Sequence, residues 1–351
     1  MNFASDNAAG VAPEIMAAMA AANPGSADAY GADDFSGALD GRFSDLFETD
    51  VAVFPVATGT AANALALAAL VPPFGVIFAH ENAHVEEDEC GAPEFYTGGA
   101  KLRTMPGAEG RLTPEELEAA LGRIERGVQH HAQPAALSLS QATELGTVYG
   151  PDDIKALAEI ARAHDVKLHM DGARFANALV QLGAAPADVT WRAGVDVLAF
   201  GATKNGAMAA EAVVFFDRGL ARDFLYRRKR GGHLFSKMRY VSAQLLAYVA
   251  DDLWLRNAGH ANAMAAKLAV GLSEVPGARL VLPVQANEVF VQLLDEVAAA
   301  LRAAGFSFND WPQVGESGYR LVTSFDTAAA DVDRLIATAT SAATELARRT
   351  A

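Results

Sequence analysis

The chain has 351 residues, 51% of them hydrophobic, with a formal net charge of −15 and a sequence pI of about 4.9. This length suits one large α/β domain with a smaller companion, and the acidic balance argues against binding to nucleic acid. The one cysteine, Cys90, leaves no internal disulfide and fits a reducing compartment, so we expect a cytoplasmic protein. The first residues lack a signal-peptide pattern, and no apolar run approaches the roughly 20 residues of a membrane span.

The chain begins with a polar arm that carries Ser5, Asp6 and Asn7. A helix is predicted at residues 13–22, because a proline stands in its first turn. Residues 23–34 are dense in turn formers and are predicted to form a loop. A polar arm this early in a chain is usually held by a partner subunit or by an active site.

The next segment offers a candidate phosphate site. A strand at 51–55 leads to Thr58, Gly59 and Thr60, which open a strongly helical run to residue 70. A glycine between two hydroxyl residues at a helix N-terminus supplies free N–H groups, hydroxyl donors and the positive end of the helix dipole. An ordinary threonine N-cap explains the same residues.

A strand at 76–79 runs into His80 and His84. These histidines are interpreted as loop residues, as a metal pair or as rings that stack on a flat cofactor. The metal is disfavoured, because no third ligand follows at a convincing spacing.

Two further strands, at 101–105 and 135–140, alternate with helices at 114–121 and 151–164. The first of these helices begins with a capping box, Thr113 with Glu116. The second strand runs into Thr143 and Glu144, which places both side chains at a strand end.

Two apolar strands then deliver an acid and a lysine. One ends at Asp171, and the other, at 195–200, breaks at a glycine before Lys204; a helix at 175–182 lies between them. Ends of neighbouring strands in an open α/β sheet share one crevice. Both residues are also ordinary turn signals, but a lysine nucleophile opposite an acid matches what pyridoxal phosphate requires, a Schiff-base partner and a partner for the pyridine nitrogen.

The pattern of predicted helices and strands changes in the last third of the chain. A buried strand at 211–217 completes a mostly parallel, helix-covered sheet. The basic run at 227–230 is interpreted as a solvated helix face or as a phosphate contact. Beyond it the pattern predicts helices at 234–255, 258–272, 296–304 and 331–348, and strands at 278–282, 288–294 and 319–325. We therefore predict a large N-terminal domain, residues 1–245, and a small α+β domain, residues 246–351.

Taken in order, four short motifs give a family resemblance. They are Thr58-Gly59-Thr60, Asn82-Ala83-His84, Asp171-Gly172-Ala173-Arg174 and Thr203-Lys204. With them the chain resembles the low-specificity L-threonine aldolases of pyridoxal-phosphate fold-type I, from Ser5 through Thr323. The resemblance implies an α/β fold with an aspartate-aminotransferase-like large domain, a mostly parallel central sheet and a smaller C-terminal α+β domain. It also implies a homo-oligomer, a dimer or a homotetramer, with shared active sites.

The resemblance assigns a role to each matched residue. Lys204 forms the Schiff base, Asp171 pairs with the pyridine nitrogen, and His84 stacks on the ring. Gly59 and Thr60 hold the phosphate. Arg174 reaches the cofactor 3-oxygen or the substrate carboxylate, and Ser5 with Arg320 grips that carboxylate.

The implied activity is the cleavage of L-threonine, L-allo-threonine and related β-hydroxy-α-amino acids to glycine and an aldehyde. A second hypothesis is a β-eliminating lyase, a racemase or an aminotransferase, which shares the same scaffold. A third hypothesis is a cofactor-binding regulatory protein without turnover. A carboxylate grip at Arg320 argues against the last, because a protein without turnover has no need of one.

The group that deprotonates the substrate hydroxyl is left open between His84 and Glu144. Many members of the family carry a histidine in an Asn-Thr-His setting where this chain has Ala142-Thr143-Glu144. A carboxylate there is expected to have a pKa raised by a desolvated pocket and lowered by any nearby arginine. We predict that His84 acts chiefly by contact and Glu144 chiefly by orienting the base or a water.

Overall fold

In the computed structural model, which describes residues 1–350, eleven strands form two sheets. The strands are β1 (Ala52–Val56), β2 (Gly75–His80), β3 (Lys101–Met105), β4 (Gln133–Ser140), β5 (Lys167–Gly172), β6 (Val197–Gly201), β7 (Glu211–Phe215), β8 (Arg279–Leu280), β9 (Glu288–Gln292), β10 (Asn309–Asp310) and β11 (Gly318–Val322). The α-helices are α1 (Pro13–Ala21), α2 (Asp34–Gly37), α3 (Leu39–Phe47), α4 (Gly59–Leu70), α5 (His84–Glu87), α6 (Ala92–Thr97), α7 (Pro114–Gly122), α8 (Pro151–Ala163), α9 (Phe175–Leu182), α10 (Phe224–Arg230), α11 (Arg239–Tyr248), α12 (Leu253–Ser273), α13 (Asp295–Ala303) and α14 (Ala329–Thr350).

The large sheet has seven strands in the order β1-β7-β6-β5-β4-β2-β3. Strand β7 runs antiparallel to both of its neighbours, and the other strand pairs are parallel. Strands β2, β6 and β7 are buried along their whole length, as expected for a sheet covered by helices on both faces. The predicted mostly parallel α/β sheet is confirmed, and it brings the carboxyl ends of β4, β5 and β6 to one edge.

The second sheet, β10-β11-β9-β8, is antiparallel and packs with the C-terminal helices. Its core contains Leu268, Val289 and Leu321, and also Phe3 from the N-terminal arm. The arm is tied there by a hydrogen bond from Val322 N to Phe3 O of 2.7 Å. The arm that the sequence grouped with the large domain therefore packs on the C-terminal unit.

Helix α12 contributes to both hydrophobic cores. Trp254 and Ala258 belong to the core of the large unit, whereas Ala265 and Leu268, further along the same helix, belong to the core of the C-terminal unit. The division at residue 245 stays a prediction.

One predicted element is wrong. The expected long helix at 234–255 is two helices, α11 and α12, joined by a turn in which Asp251 and Asp252 have φ of 48° and 54°. Aspartate is among the residues that tolerate this left-handed region. The turn lets Tyr248 and Trp254 both contact Phe200 of β6, at ring-centroid distances of 5.9 and 5.5 Å.

The predicted loop at 23–34 is confirmed to within one residue, because helix α2 begins at Asp34. Asp33 caps helix α2 by accepting a 2.9 Å hydrogen bond from Ser36 N, and α3 follows with Leu39, Phe43 and Phe47 buried. Sequence analysis made no prediction for α3, in which the spacing of these three residues buries one helix face.

The basic run lies on helix α10, whose Lys229 and Arg230 are exposed. Arg228 departs from the predicted solvated face: it is buried and lies over the Phe54 ring at 5.4 Å. Burial lowers the pKa of Arg228 to about 10. Among residues 1–350 no helix combines the length and the apolar character needed to cross a bilayer.

Candidate active site

Six of the predicted site residues line one cleft. They are Gly59, His84, Glu144, Asp171, Arg174 and Lys204. Each stands at a helix N-terminus or just at or beyond the carboxyl end of a strand of the large sheet. The parallel sheet thus brings together residues that are far apart in the sequence.

Lys204 lies on a short 3₁₀ turn that follows β6. The neighbouring Asn205 anchors this turn, because its Nδ2 donates to Tyr248 OH at 2.7 Å and to Trp254 O at 2.8 Å. Gly206 closes the turn with φ of 115°, a conformation that favours glycine. Within residues 1–350 the Lys204 ammonium group has neither a hydrogen bond nor an ion pair, so it is available to a ligand.

Asp171 ends β5 and is buried. Its Oδ1 accepts a hydrogen bond from Ala173 N at 2.9 Å, and its Oδ2 accepts one from Asn63 Nδ2 at 2.7 Å. Asn63 lies in the first turns of α4 and is also buried. The carboxylate is therefore held in a fixed orientation.

His84 begins α5, and a buried acid fixes its ring. Its Nδ1 lies 3.0 Å from Glu89 Oε1, and the same oxygen accepts a hydrogen bond from Asn63 Nδ2 at 2.8 Å. When Glu89 is ionised, its carboxylate only accepts hydrogen bonds, so Nδ1 of His84 then carries the proton. The hydrogen bond to Glu89 raises the pKa of His84, and burial opposes this rise.

Glu144 follows β4 and contacts the same histidine. Its Oε1 accepts hydrogen bonds from Ser140 Oγ at 2.6 Å and from His84 N at 2.8 Å. Desolvation raises the pKa of Glu144 to about 6, although these two hydrogen bonds oppose the rise. A carboxyl group with this pKa exchanges its proton near neutral pH.

The N-terminus of α4 forms another wall. Thr58 is the N-cap, and its Oγ1 accepts from Ala61 N at 3.2 Å, so the predicted cap is confirmed. Gly59 and Thr60 occupy the first two helical positions, whose N–H groups have no partner within a helix. No atom lies within 4 Å of the place where a Cβ on Gly59 would stand, which leaves space for a ligand at this helix end.

Arg174 pairs with the N-terminal arm. Its Nε and Nη2 donate to the Asp6 carboxylate at 2.8 and 3.1 Å. Asn287 Nδ2 donates to Asp6 Oδ2 at 3.0 Å. The arm is thus held at the site, as its polar sequence predicted.

Arg320 and Ser5 do not line the cleft itself. Arg320 is held over the Trp311 ring at 4.5 Å, and its Nε lies 3.8 Å from Glu288 Oε1. Ser5 caps a 3₁₀ turn by accepting from Asn7 N at 3.2 Å, and it borders a separate surface depression. In this structure Asp6, the next residue, is the one that contacts Arg174.

Sequence analysis missed several groups of the site. It assigned no role in the site to Asn63, Glu89 or Glu211. Glu211 Oε2 accepts from Ala202 N at 2.8 Å, close to Lys204, and burial raises its pKa to about 7. A usable signal existed for the first two, because Asn63 follows Gly59 by about one helical turn and Glu89 lies just past the short helix α5 that begins at His84.

The cleft fits pyridoxal phosphate. It offers an amine without a partner at Lys204, a fixed carboxylate at Asp171 and the free N-terminus of α4. Asn63 Oδ1 and Glu89 Oε2 are buried atoms that lack a hydrogen-bond partner among the described residues, as expected of groups beside a ligand.

Comparison with known proteins identifies the family to which the chain belongs. The sequence model of the family described as Beta-eliminating lyase matches residues 2–296. The chain is similar to the low specificity L-threonine aldolase of Pseudomonas aeruginosa, with 48% identity over 95% of this chain and 94% of that protein. It is similar to the enzyme of the same name from another Pseudomonas strain, with 46% identity over 95% of this chain and 96% of that protein.

A solved structure supports this assignment. The fold is similar to that of the Leishmania major threonine aldolase, with a TM-score of 0.91, 27% sequence identity, and coverage of 97% of this chain and 99% of that chain. The chain belongs to the β-eliminating lyase family and, within it, groups with the low-specificity L-threonine aldolases.

Proposed function

We propose that this protein is a pyridoxal-phosphate-dependent aldolase that cleaves L-threonine, L-allo-threonine and related β-hydroxy-α-amino acids to glycine and an aldehyde. The observation that carries the proposal is one cleft in which Lys204, without a partner, lies with the fixed carboxylate of Asp171 and with two candidate bases, His84 and Glu144.

The residues that would hold the cofactor follow from the cleft. Lys204 Nζ would hold its aldehyde carbon and Asp171 its pyridine nitrogen, while Gly59 and Thr60 would donate N–H groups to its phosphate. The His84 ring would lie against the pyridine ring. Bound pyridoxal phosphate supplies an electron-poor ring that accepts the electrons of the bond broken at the substrate Cα.

Arg320, with Arg174 beside it, would bind the substrate carboxylate. Asp6 occupies two nitrogens of Arg174, so Arg320 is the arginine with more donors left. Fixing the carboxylate would set the rotation about the substrate Cα–N bond and so select the Cα–Cβ bond as the one to break. Ser5 would join this contact only after a change in the arm.

Glu144 and His84 would handle the proton of the β-hydroxyl. Nδ1 of His84 is committed to Glu89, so Nε2 is the nitrogen that faces a ligand. Glu144, with a pKa of about 6, can accept a proton directly or through a water. The backbone hydrogen bond from His84 to Glu144 couples the positions of the two candidates.

The proposal includes a cytoplasmic homo-oligomer, a dimer or a tetramer with shared active sites. Phe95 and Tyr226 are 77% and 75% exposed, and they border a groove of about 680 Å³ that also contains Arg227 and Arg230. Aromatic and arginine side chains are enriched at protein interfaces. A basic residue of 227–230, or Lys237, would reach the phosphate of the neighbouring subunit, and light scattering that finds an active monomer would contradict this.

The deciding experiment is a product assay. The purified protein, loaded with pyridoxal phosphate, is incubated with threonine, allo-threonine and phenylserine enantiomers, and glycine and aldehyde are measured separately. Glycine and aldehyde in equal amounts support the aldolase. Pyruvate-type keto acids or inverted amino acids without glycine would assign the cleft to a β-eliminating lyase, an aminotransferase or a racemase instead.

A further inference from the structure

A charge cluster lies where the C-terminal sheet meets the cleft. It contains two arginines, Arg174 and Arg320, and two buried acids, Asp6 and Glu288. Glu288 begins β9 and Arg320 lies in β11, so they are diagonal neighbours on one sheet face. The formal charges of the four side chains cancel before any ligand binds.

Each arginine has its own orienting partner. Arg174 is fixed by two hydrogen bonds to Asp6, and Arg320 is fixed by the Trp311 ring. Glu288 makes no side-chain hydrogen bond to either arginine. Its oxygens lie 3.5 Å from Arg174 Nη1 and 3.8 Å from Arg320 Nε, and both oxygens lack a hydrogen-bond partner among residues 1–350.

The side chain of Glu288 has no solvent exposure, so water screens its charge poorly. A fully buried carboxylate that orients nothing is costly unless its charge has a role. The role available here is electrostatic, since a ligand carboxylate that approaches the arginines also approaches Glu288.

We propose that Glu288 sets the affinity of the active site for the carboxylate of its amino-acid ligands, by offsetting the positive charge of Arg174 and Arg320. This rests on the proposed function, in which these arginines bind that carboxylate. A weakened hold suits the reaction, because the product glycine keeps the carboxylate and the amine of the substrate and must still leave. The same attenuation lowers substrate affinity without changing the bond that breaks.

The test compares equilibrium binding of glycine and of methylamine to the holoenzyme by calorimetry. Methylamine matches glycine but has no carboxylate. In Glu288→Gln the dissociation constant of glycine should fall by about tenfold, whereas that of methylamine should stay unchanged. The KM for threonine should fall with it, and kcat should not rise.

Two variants separate charge from packing. Glu288→Asp keeps the charge, so it should bind glycine as the unmodified enzyme does. Glu296→Gln removes one negative charge from an exposed position of the same unit and should change nothing. Where the glutamine variant does not fold, Glu288→Met removes the same charge without adding a buried polar group.

Glycine binding that is unchanged or weaker in Glu288→Gln overturns the inference. Equal tightening of glycine and methylamine also overturns it, because the effect is then not on the carboxylate. An unmodified enzyme that releases no glycine and aldehyde from threonine contradicts the proposed function instead, so the two failures are distinguishable.

Discussion

Two carboxyl groups beside the cleft, Asp6 and Glu144, have pKa values that move in opposite directions. Burial acts to raise both. In Asp6 the charges of Arg174 and Lys204, with hydrogen bonds from Arg174 and Asn287, outweigh burial and lower the pKa. In Glu144 burial and the charge of Asp171 outweigh the hydrogen bonds from Ser140 and from His84 N, and the pKa rises to about 6.

The difference shows how one cleft obtains both fixed charges and mobile protons. A buried acid beside an arginine stays ionised and becomes part of the frame. A desolvated acid without a paired cation can take up and release a proton near neutral pH. The presence or absence of a paired cation, more than burial, therefore separates the pKa of Asp6 from that of Glu144.

Lys204→Ala tests the lysine that is proposed to bind the cofactor covalently. Lys204→Ala should lower turnover by about 10⁴-fold or more, the scale seen when a catalytic nucleophile is lost. The purified protein should also lose the yellow absorption of covalently held pyridoxal phosphate, which a spectrum measures directly. A colourless unmodified protein that pyridoxal phosphate cannot reconstitute would contradict the cofactor assignment.

Removing the carboxyl group of Glu144, the proposed proton carrier, should have the next largest effect. Glu144→Gln should lower kcat by about 10²-fold to 10³-fold while the cofactor spectrum stays the same. Glu144 is ionised above its pKa of about 6 and protonated below it, so kcat of the unmodified enzyme should fall as the pH falls through 6.

A pH profile of the Glu144→Gln variant checks this assignment, because the variant should lose the limb near pH 6. His84→Ala is the contrasting variant and should disturb both the spectrum and turnover. Full kcat of Glu144→Gln at every pH would leave His84 or a water as the base.

Asp6, the acid with the lowered pKa, should contribute to the free energy of unfolding. Asp6→Asn removes the negative charge of a buried pair and replaces one of the two oxygens to which Arg174 donates with an NH2 group, which should reduce the free energy of unfolding by roughly 3 kcal/mol at pH 7. Because the pKa of Asp6 is lowered from 3.8 in the folded protein, this contribution is fully present above pH 4 and is lost as the pH falls through the lowered pKa of the folded protein. Urea unfolding of both proteins at pH 7 and at a series of values below pH 4 measures both effects; a pH-independent difference would show that charge is not the cause.

The smallest effect on turnover is expected for Glu89, whose carboxyl group contacts the His84 ring. Glu89→Gln removes the hydrogen-bonded charge that raises the pKa of His84, so that pKa should fall. Turnover should drop by about tenfold, the scale of one hydrogen bond to a charged group. NMR titration of His84 measures the first effect, and an unchanged titration would limit Glu89 to a packing role.

Much of the fold follows from local patterns. Apolar runs bounded by glycine and proline predicted the strands of the large sheet, and periodic spacing predicted helices such as α8 and α9 to within two residues. The pair of Asp171 and Lys204 could be predicted because each follows a buried strand. The helix at 234–255 could not, because the break at Asp251 depends on the contacts that Tyr248 and Trp254 make with Phe200.

By itself the sequence determined most strands of the large sheet and the helix N-terminus at Gly59, because these depend on neighbours along the chain. Only the tertiary structure decided the ion pairs and the ionisation of the residues in the cleft. The bond between Arg174 and Asp6 joins positions 168 residues apart, and Glu288 meets both arginines through the pairing of β9 with β11. Ionisation in a buried site depends on distance to the next charge, and only the folded chain sets that distance.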